Sequence, residues 1–264
     1  MAVNGKHLIP AHSGEHGKEH FWRALVDFFI PRCCPVCRSP VGNSQNSQGF
    51  FCTACLADFT LLEPPLCPLC GTPFKSSEQE NHPCQNCLQG RWRFDRGFSV
   101  FYYHGTLRKA IHLFKYSGRV ILADPLARFL HERGAFWMSE IQPEVIVPVP
   151  SHRSRLKKRG FNPPLFLARY LGKHWKIPVL PEALLPVKKI PSQAGLKREE
   201  RLRNVRGAFV AEKNQVRGRR VLLVDDVLTT GATANECARV LKKSGASHVA
   251  VMTLARSVDW DLHA

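Results

Sequence analysis

Two carboxylates, Asp225 and Asp226, stand side by side in the stretch Val221-Leu-Leu-Val-Asp-Asp-Val-Leu-Thr-Thr-Gly-Ala-Thr233. Four apolar residues before them predict a buried parallel strand, which places the acids at its carboxyl end. A loop of hydroxyls and glycine follows, and then a helix from about Ala232 to Ser244, stopped by Gly245. Open α/β sheets bind ligands at the carboxyl ends of strands. A loop that opens a helix offers free backbone N–H groups and the positive end of a dipole, which suits a phosphate. The hydroxyls of Thr229, Thr230 and Thr233 add donors, Gly231 permits the tight turn, and Ala232 opens the helix. Paired carboxylates beside a phosphate would repel it unless they met hydroxyls or a cation. A ribose diol and a bound Mg2+ answer both needs. No Gly-Lys-Ser/Thr follows, so the loop is not of the Walker type, and it is not G-x-G-x-x-G.

The cysteines form the second group with chemistry. Nine of the ten lie between Cys33 and Cys87, and eight of these make four C-x-x-C pairs: Cys34/Cys37, Cys52/Cys55, Cys67/Cys70 and Cys84/Cys87. The sequence Cys34-Pro-Val-Cys37 returns 33 residues later as Cys67-Pro-Leu-Cys70. A C-x-x-C turn presents two thiolates to a tetrahedral ion, and a second turn completes a four-cysteine shell. Segments this short bury little apolar surface, so a metal would supply most of their folding energy. The rival reading, a disulfide framework, needs an export signal, and the first twenty residues hold four His and mixed charges but no apolar h-region. The expectation is two tandem zinc ribbons holding one or two structural zinc ions. Cys33 duplicates Cys34 and reads as a spare, while Cys237, inside the predicted helix, reads as a small buried hydrophobe.

What must position these groups follows from the rest of the chain. Its 264 residues suffice for one medium domain and a small one. Residues 1–31 read as a polar tail with a short amphipathic helix over 21–30, residues 32–90 as the double ribbon, and residues 94–264 as the larger domain. From about residue 94, apolar strand-like runs alternate with helical patterns, the mark of a parallel α/β sheet flanked by helices. The predicted strands are Phe98 to Tyr103, Val145 to Val149, Val221 to Val224 and His248 to Leu254. Leu107, Ala110, Ile111 and Phe114 mark one helical face and Leu165 to Leu171 another. No apolar run approaches 18 residues, which excludes a membrane-spanning helix and points to a cytoplasmic protein, at most peripheral at the inner face of the membrane.

With 38 Lys and Arg against 21 Asp and Glu, the formal charge is +17, which favours polyanionic partners. Residues 151–160 hold five Lys or Arg and no acid, directly after the strand at Val145. Such a run is a solvated face or an anion site, and the uninterrupted sign favours the anion. Residues 188–206 hold seven bases against Glu199 and Glu200, and from Arg198 to Arg206, where acids mix with bases, the two readings balance. Lys115 and Arg119 lie near a helix end, where capping carbonyls is the simpler role. Trp92, Phe94, Tyr102, Tyr103 and Phe161 either stack on nucleobases or pack in the core.

The stretch 221–233 resembles, at every position, the phosphoribosyl pyrophosphate (PRPP) motif of type I phosphoribosyltransferases. Further segments narrow the resemblance: Tyr102-Tyr-His-Gly-Thr-Leu-Arg108 with Phe114-Lys-Tyr-Ser-Gly-Arg119, Val147-Pro-Val-Pro150, Arg159-Gly-Phe-Asn162, and Ser192-Gln-Ala-Gly-Leu196 with Arg201-Leu-Arg-Asn-Val-Arg-Gly-Ala-Phe209. Together with the cysteine pairs they resemble the ComF/GntX family over about residues 33 to 256. The resemblance implies a type I phosphoribosyltransferase fold, a PRPP-type ligand with Mg2+, contact with single-stranded DNA, and a role in DNA uptake or DNA utilisation. It places a pyrophosphate loop at 151–160, with Arg153, Lys158 and Arg159 as its cations, and a flexible flap near 188–206. A transferase would displace pyrophosphate at C1 of PRPP, with Asp225 and Asp226 holding the ribose and residues 229–233 gripping the 5-phosphate. No segment suits recognition of a nucleobase, so the acceptor has no assignment. Three functions stay open: a binding module for PRPP and single-stranded DNA, an active transferase, and an adaptor whose ribbons dock a helicase-like component of DNA uptake.

Overall fold

A computed structural model describes residues 33–41, 50–74, 80–188 and 198–258. Four parallel strands, β1 (Arg96–Tyr102), β2 (Val145–Pro148), β5 (Arg220–Leu228) and β6 (His248–Arg256), form one sheet in the order β1-β6-β5-β2. A two-stranded antiparallel ribbon, β3 (Leu184–Pro186) with β4 (Phe209–Ala211), stands apart from it. Both faces of the main sheet are covered, which is why Val145-Ile-Val and Val221-Leu-Leu-Val read as unbroken apolar runs; all seven residues are buried.

Side chains alternate across the sheet, and this sorts the helices. Val221, Leu223, Val249 and Val251 share a core with Cys237, Ala238 and Leu241 of helix α6 (Ala232–Lys243). The alternate residue Met252 reaches the other face, where its methyl would lie 2.9 Å from a side chain added at Gly134 of helix α2 (Ala123–Ile141). Helix α1 (Gly105–Tyr116) precedes α2 and buries the predicted stripe Leu107, Ala110, Ile111 and Phe114. Helix α3 (Arg153–Arg159) follows β2, and α4 (Pro163–Trp175) packs on α2. Helix α5 (Arg198–Val205) packs on α6. The chain therefore leaves β2 toward the α2 face and leaves the neighbouring β5 toward the opposite face. That reversal between adjacent strands opens a crevice at their carboxyl ends.

Differences from the sequence reading are local. The strand at Val221 does not stop at Val224 but runs to Leu228, so Asp225 and Asp226 lie inside the strand rather than beyond it. The reason is lopsided pairing: β2 ends opposite Val224, whereas β6 continues opposite Asp225, Val227 and Leu228. Residues 153–159, expected as a loop, form helix α3. The helix over 21–30 and residues 189–197 of the expected flap lie outside the described residues.

The described residues belong to two compact units, 1–53 and 54–264. Each contains one copy of the same knuckle. In the first, Cys34 N donates to Ser39 O and Arg38 N to Cys34 O, both at 2.8 Å, with Arg38 at φ 67°. In the second, Cys67 N donates to Thr72 O and Gly71 N to Cys67 O, again at 2.8 Å, with Gly71 at φ 70°. Even the bridges repeat, Cys33 with Pro40 and Leu66 with Pro73. Every equivalent pair is 33 residues apart, so the sequence repeat is a structural repeat. The second knuckle packs on β1: Gly97 N donates to Leu69 O at 2.8 Å, and a side chain at Gly71 would lie 2.9 Å from Gly97 O. Glycine is required there for close approach as well as for its φ.

Candidate functional site

The neighbouring strands β2 and β5, paired as far as Pro148 and Val224, lead into the basic helix α3 and into the hydroxyl turn before α6 respectively. On the β5 side the acids point to opposite faces. Asp225 lies on the α6 face, where its charge helps push the Cys237 thiol, already raised by burial, further up. In register with Asp225 across the sheet lies Thr253, and beside that Ser99, whose hydroxyls meet at 2.6 Å. Asp226 faces the other way and is 7 % exposed. Its carboxylate takes an ion pair from Lys115 Nζ at 2.7 Å.

The electrostatics of this pair are asymmetric. Burial and the neighbouring Asp226 push the Asp225 carboxyl up to about 8 from an ordinary 3.8, against the pull of Lys115. Asp225 therefore holds its proton near neutrality, and its Oδ1 also accepts the Asp226 N–H at 2.8 Å. Burial alone would lower the Lys115 ammonium, but Asp226 and Asp225 outweigh it and hold it above its ordinary value. Thus the counter-ion that the paired acids require is a side chain of the protein. Lys115, expected as a carbonyl cap, is that counter-ion. Its partner lies 111 positions away, too far for spacing to show.

After Leu228 the chain turns into α6 through the predicted cradle. Thr229 is exposed, Thr230 and Thr233 half-buried, Gly231 and Ala232 buried. Gly231 is the residue before the helix, with φ 73°. The first helical hydrogen bond runs from Asn235 N to Gly231 O at 2.8 Å. The N–H groups of Ala232, Thr233 and Ala234 therefore have no acceptor within the helix, the state in which a helix start binds an anion.

On the β2 side, Asn162 holds the basic segment in shape. It donates from Nδ2 to Val149 O at 3.1 Å and accepts at Oδ1 from the Ser151 hydroxyl at 2.8 Å. His152 caps α3 by accepting from Ser154 N, and Gly160 ends it at φ 80°. Arg153 and Lys158 are exposed. Arg159 is half-buried because its guanidinium lies 4.4 Å from the centre of the Tyr116 ring, next in sequence to Lys115. The aromatic residues divide: Trp92 stacks on Phe94, and Phe161 packs on Phe114 and Phe166, so these fill interior space.

The cysteines gather as their spacing predicts. Cys34, Cys37, Cys52 and Cys55 are one candidate metal group and Cys67, Cys70, Cys84 and Cys87 another; in the latter, which lies within one unit, all ligand atoms are within 4.8 Å of one another. In the second group the Cys67–Cys87 and Cys70–Cys84 sulfurs are 3.5 Å apart and Cys84–Cys87 3.6 Å. A tetrahedral zinc with sulfur at ~2.3 Å sets its sulfurs about 3.8 Å apart. Both groups fit structural zinc. Cys33 is exposed and outside them, and Cys237 is fully buried, as expected.

Residues 25–88 match the double zinc ribbon domain family, and residues 185–259 match the phosphoribosyl transferase domain family. Competence protein F of Haemophilus influenzae is 33 % identical over 238 residues, covering 88 % of this chain and all of that protein. DNA utilization protein YhgH of Escherichia coli is 33 % identical over 87 % of this chain and 99 % of its own length. Competence protein ComFC of Bacillus subtilis is 29 % identical over 85 % and 95 % respectively. One third identity along the whole of a competence protein, with ribbons and transferase-like sheet in the same chain, makes this protein a member of the ComF/GntX family.

Proposed function

We propose that this protein binds PRPP, or a closely related phosphorylated ribose, in the β2–β5 crevice and single-stranded DNA along its basic surface, and that it acts in DNA uptake or DNA utilisation. The observation that carries the reading is the meeting, at one reversal of the sheet, of a helix start whose first N–H groups have no helical acceptor and a pair of carboxyl groups able to take a diol. The 5-phosphate lies on the N–H groups of residues 232–234 with the hydroxyls of Thr229, Thr230 and Thr233. The ribose hydroxyls meet Asp225 and Asp226, which are also the hard oxygen donors for Mg2+ entering with the ligand. Arg153, Lys158 and Arg159 neutralise the pyrophosphate. In this reading the protein is cytoplasmic; no described helix is long and apolar enough to cross a membrane.

Transfer chemistry is a second reading, favoured by one observation. Asp226 is ion-paired with Lys115 at 2.7 Å, and in this reading it faces the positive charge that develops on a ribose ring as pyrophosphate leaves. An adaptor role toward a helicase-like partner is a third, and rests on the ribbons alone. The deciding experiment incubates the zinc-loaded protein with PRPP and Mg2+ over a panel of bases, with and without single-stranded DNA, and follows pyrophosphate. Release coupled to a phosphoribosylated product establishes a transferase. PRPP binding without turnover establishes the module, and no PRPP binding in either arm refutes the site.

A further inference from the structure

We infer that the second zinc ribbon and the phosphate cradle are thermodynamically linked, with Trp92 and Asn235 as positioning residues that carry zinc occupancy to the cradle loop. The inference rests on reading residues 229–233 as a phosphate site. It goes further in making the zinc more than a local staple.

The contacts bracket the cradle at both ends. Four residues after Cys87 the chain reaches Arg91, whose N–H donates to Asn86 O at 3.0 Å and ties it to the helical turn between the two cysteines. Trp92 follows, stacked on the buried Phe94 with centroids 5.0 Å apart. Its ring covers Gly231 so closely that a side chain there would lie 2.5 Å from Trp92 Cζ3. Asn235, in the first turn of α6, then clasps the same segment. It accepts from Arg93 N at 2.5 Å and donates from Nδ2 to Arg91 O at 3.2 Å. These contacts seat the helix start on the chain that leaves the metal site.

The other end is held through Arg256, 6 % exposed at the end of β6. Its guanidinium donates to Cys70 O at 2.7 Å and to Thr72 Oγ1 at 2.6 Å, both on the zinc knuckle. Arg256 lies in register with Leu228, the last residue before the cradle, and Ser257 N donates to Leu228 O at 2.9 Å. The knuckle thus reaches the cradle at Leu228 and again at Gly231 and Asn235. A ribbon's geometry depends on its metal. Losing zinc frees Cys70 O, Thr72 and the 89–94 segment together, and with them the position of Gly231. Linkage is reciprocal, so a ligand in the cradle must retain zinc as strongly as zinc retains the ligand.

The test uses the full chain, loaded with zinc. Amide exchange over residues 228–237 is compared among wild type, Cys84→Ser and Asn235→Ala, the last keeping every cysteine. In parallel, zinc affinity is titrated at equilibrium against a chelating dye with and without PRPP. The expected results are faster exchange over 228–237 in both variants, with β2 unchanged in Asn235→Ala. PRPP should tighten binding of the second-ribbon zinc about tenfold in wild type and hardly at all in Asn235→Ala, within the range usual for coupled sites. Wild-type exchange over 228–237 in Asn235→Ala overturns the linkage, as does an equal effect of PRPP on zinc affinity in wild type and Asn235→Ala. Should wild type bind no PRPP by calorimetry while exchange responds as stated, the ligand reading fails and the structural linkage stands.

Discussion

The two sides of the crevice are built on opposite plans. On the β5 side the acids are buried or half-buried and already partnered: Asp226 with Lys115, Asp225 with the Asp226 N–H. On the β2 side the backbone is held by Asn162, but Arg153 and Lys158 reach into solvent. The first side is finished before a ligand arrives, because unpaired buried charges would cost too much to keep. The second can remain open because exposed cations cost little. A ligand with a polar sugar and a flexible anionic end would find a rigid seat on one side and adaptable counter-ions on the other.

The largest effect should come from breaking the buried pair. Lys115→Met leaves Asp226 without its cation and should cost about 3–5 kcal/mol of stability, measured by urea unfolding. Adding Asp226→Asn should restore most of it, because no unpaired charge then remains. If the double variant is no more stable than the single one, the pair is not what holds this side together.

Gly231→Ala comes next. It forces a side chain into left-handed backbone and against Trp92, and should cost about 1–3 kcal/mol. Gly160→Ala, also at positive φ but with nothing within 4 Å, should cost about 1 kcal/mol, the backbone share alone. Equal losses at the two glycines would show that Trp92 does not press on the cradle.

The third effect is one of pH. A carboxyl raised in the folded state stabilises it fully below its unfolded value near 3.8, and that contribution is lost as pH rises through about 8. Wild-type Tm should therefore fall, relative to Asp225→Asn, between about pH 4 and pH 8. Parallel Tm curves for the two proteins would contradict the raised Asp225 carboxyl.

On the open side, effects on stability should be smallest and effects on binding selective. Neutralising Arg153, Arg155 and Lys157 together should change stability by less than about 0.5 kcal/mol per site. The log–log salt slope for single-stranded DNA binding should flatten by roughly one to two, at about 0.7 per phosphate contact. Thr230→Val should leave that slope unchanged, since a hydroxyl displaces no counter-ion. An unchanged slope in the triple variant would confine this segment to pyrophosphate and move DNA contact elsewhere.

The same contrast explains what could be read from the chain. The strand, acids and hydroxyl loop at 221–233 are contiguous, and the cysteine knuckles recur at a fixed spacing, so both were legible from order alone. Lys115, Trp92, Asn235 and Arg256 were not, because their partners are far away in sequence; Arg93 and Asn235 are 142 positions apart. Hydroxyls at Ser99 and Thr253 inside apolar strands were the available signs of the polar row beside Asp225. Helix α2 was hidden for another reason. Pro125 and Gly134 look like breakers, yet Pro125 falls in the first turn, where its missing N–H costs nothing, and Gly134 makes room for Met252 and Trp175. The acids were placed beyond the strand because apolar character ends at Val224, while hydrogen bonding to β6 does not.

The central claim is that the crevice takes a phosphorylated ribose through both its acids and its helix start. Calorimetric titration of zinc-loaded protein with PRPP and Mg2+, set beside Asp225→Asn/Asp226→Asn, tests it most directly. The account predicts saturable binding of one PRPP per chain, weakened at least about tenfold in the double variant, since charged hydrogen bonds contribute about 1.5–3 kcal/mol each. No binding to wild type, or equal affinity for both proteins, would contradict it.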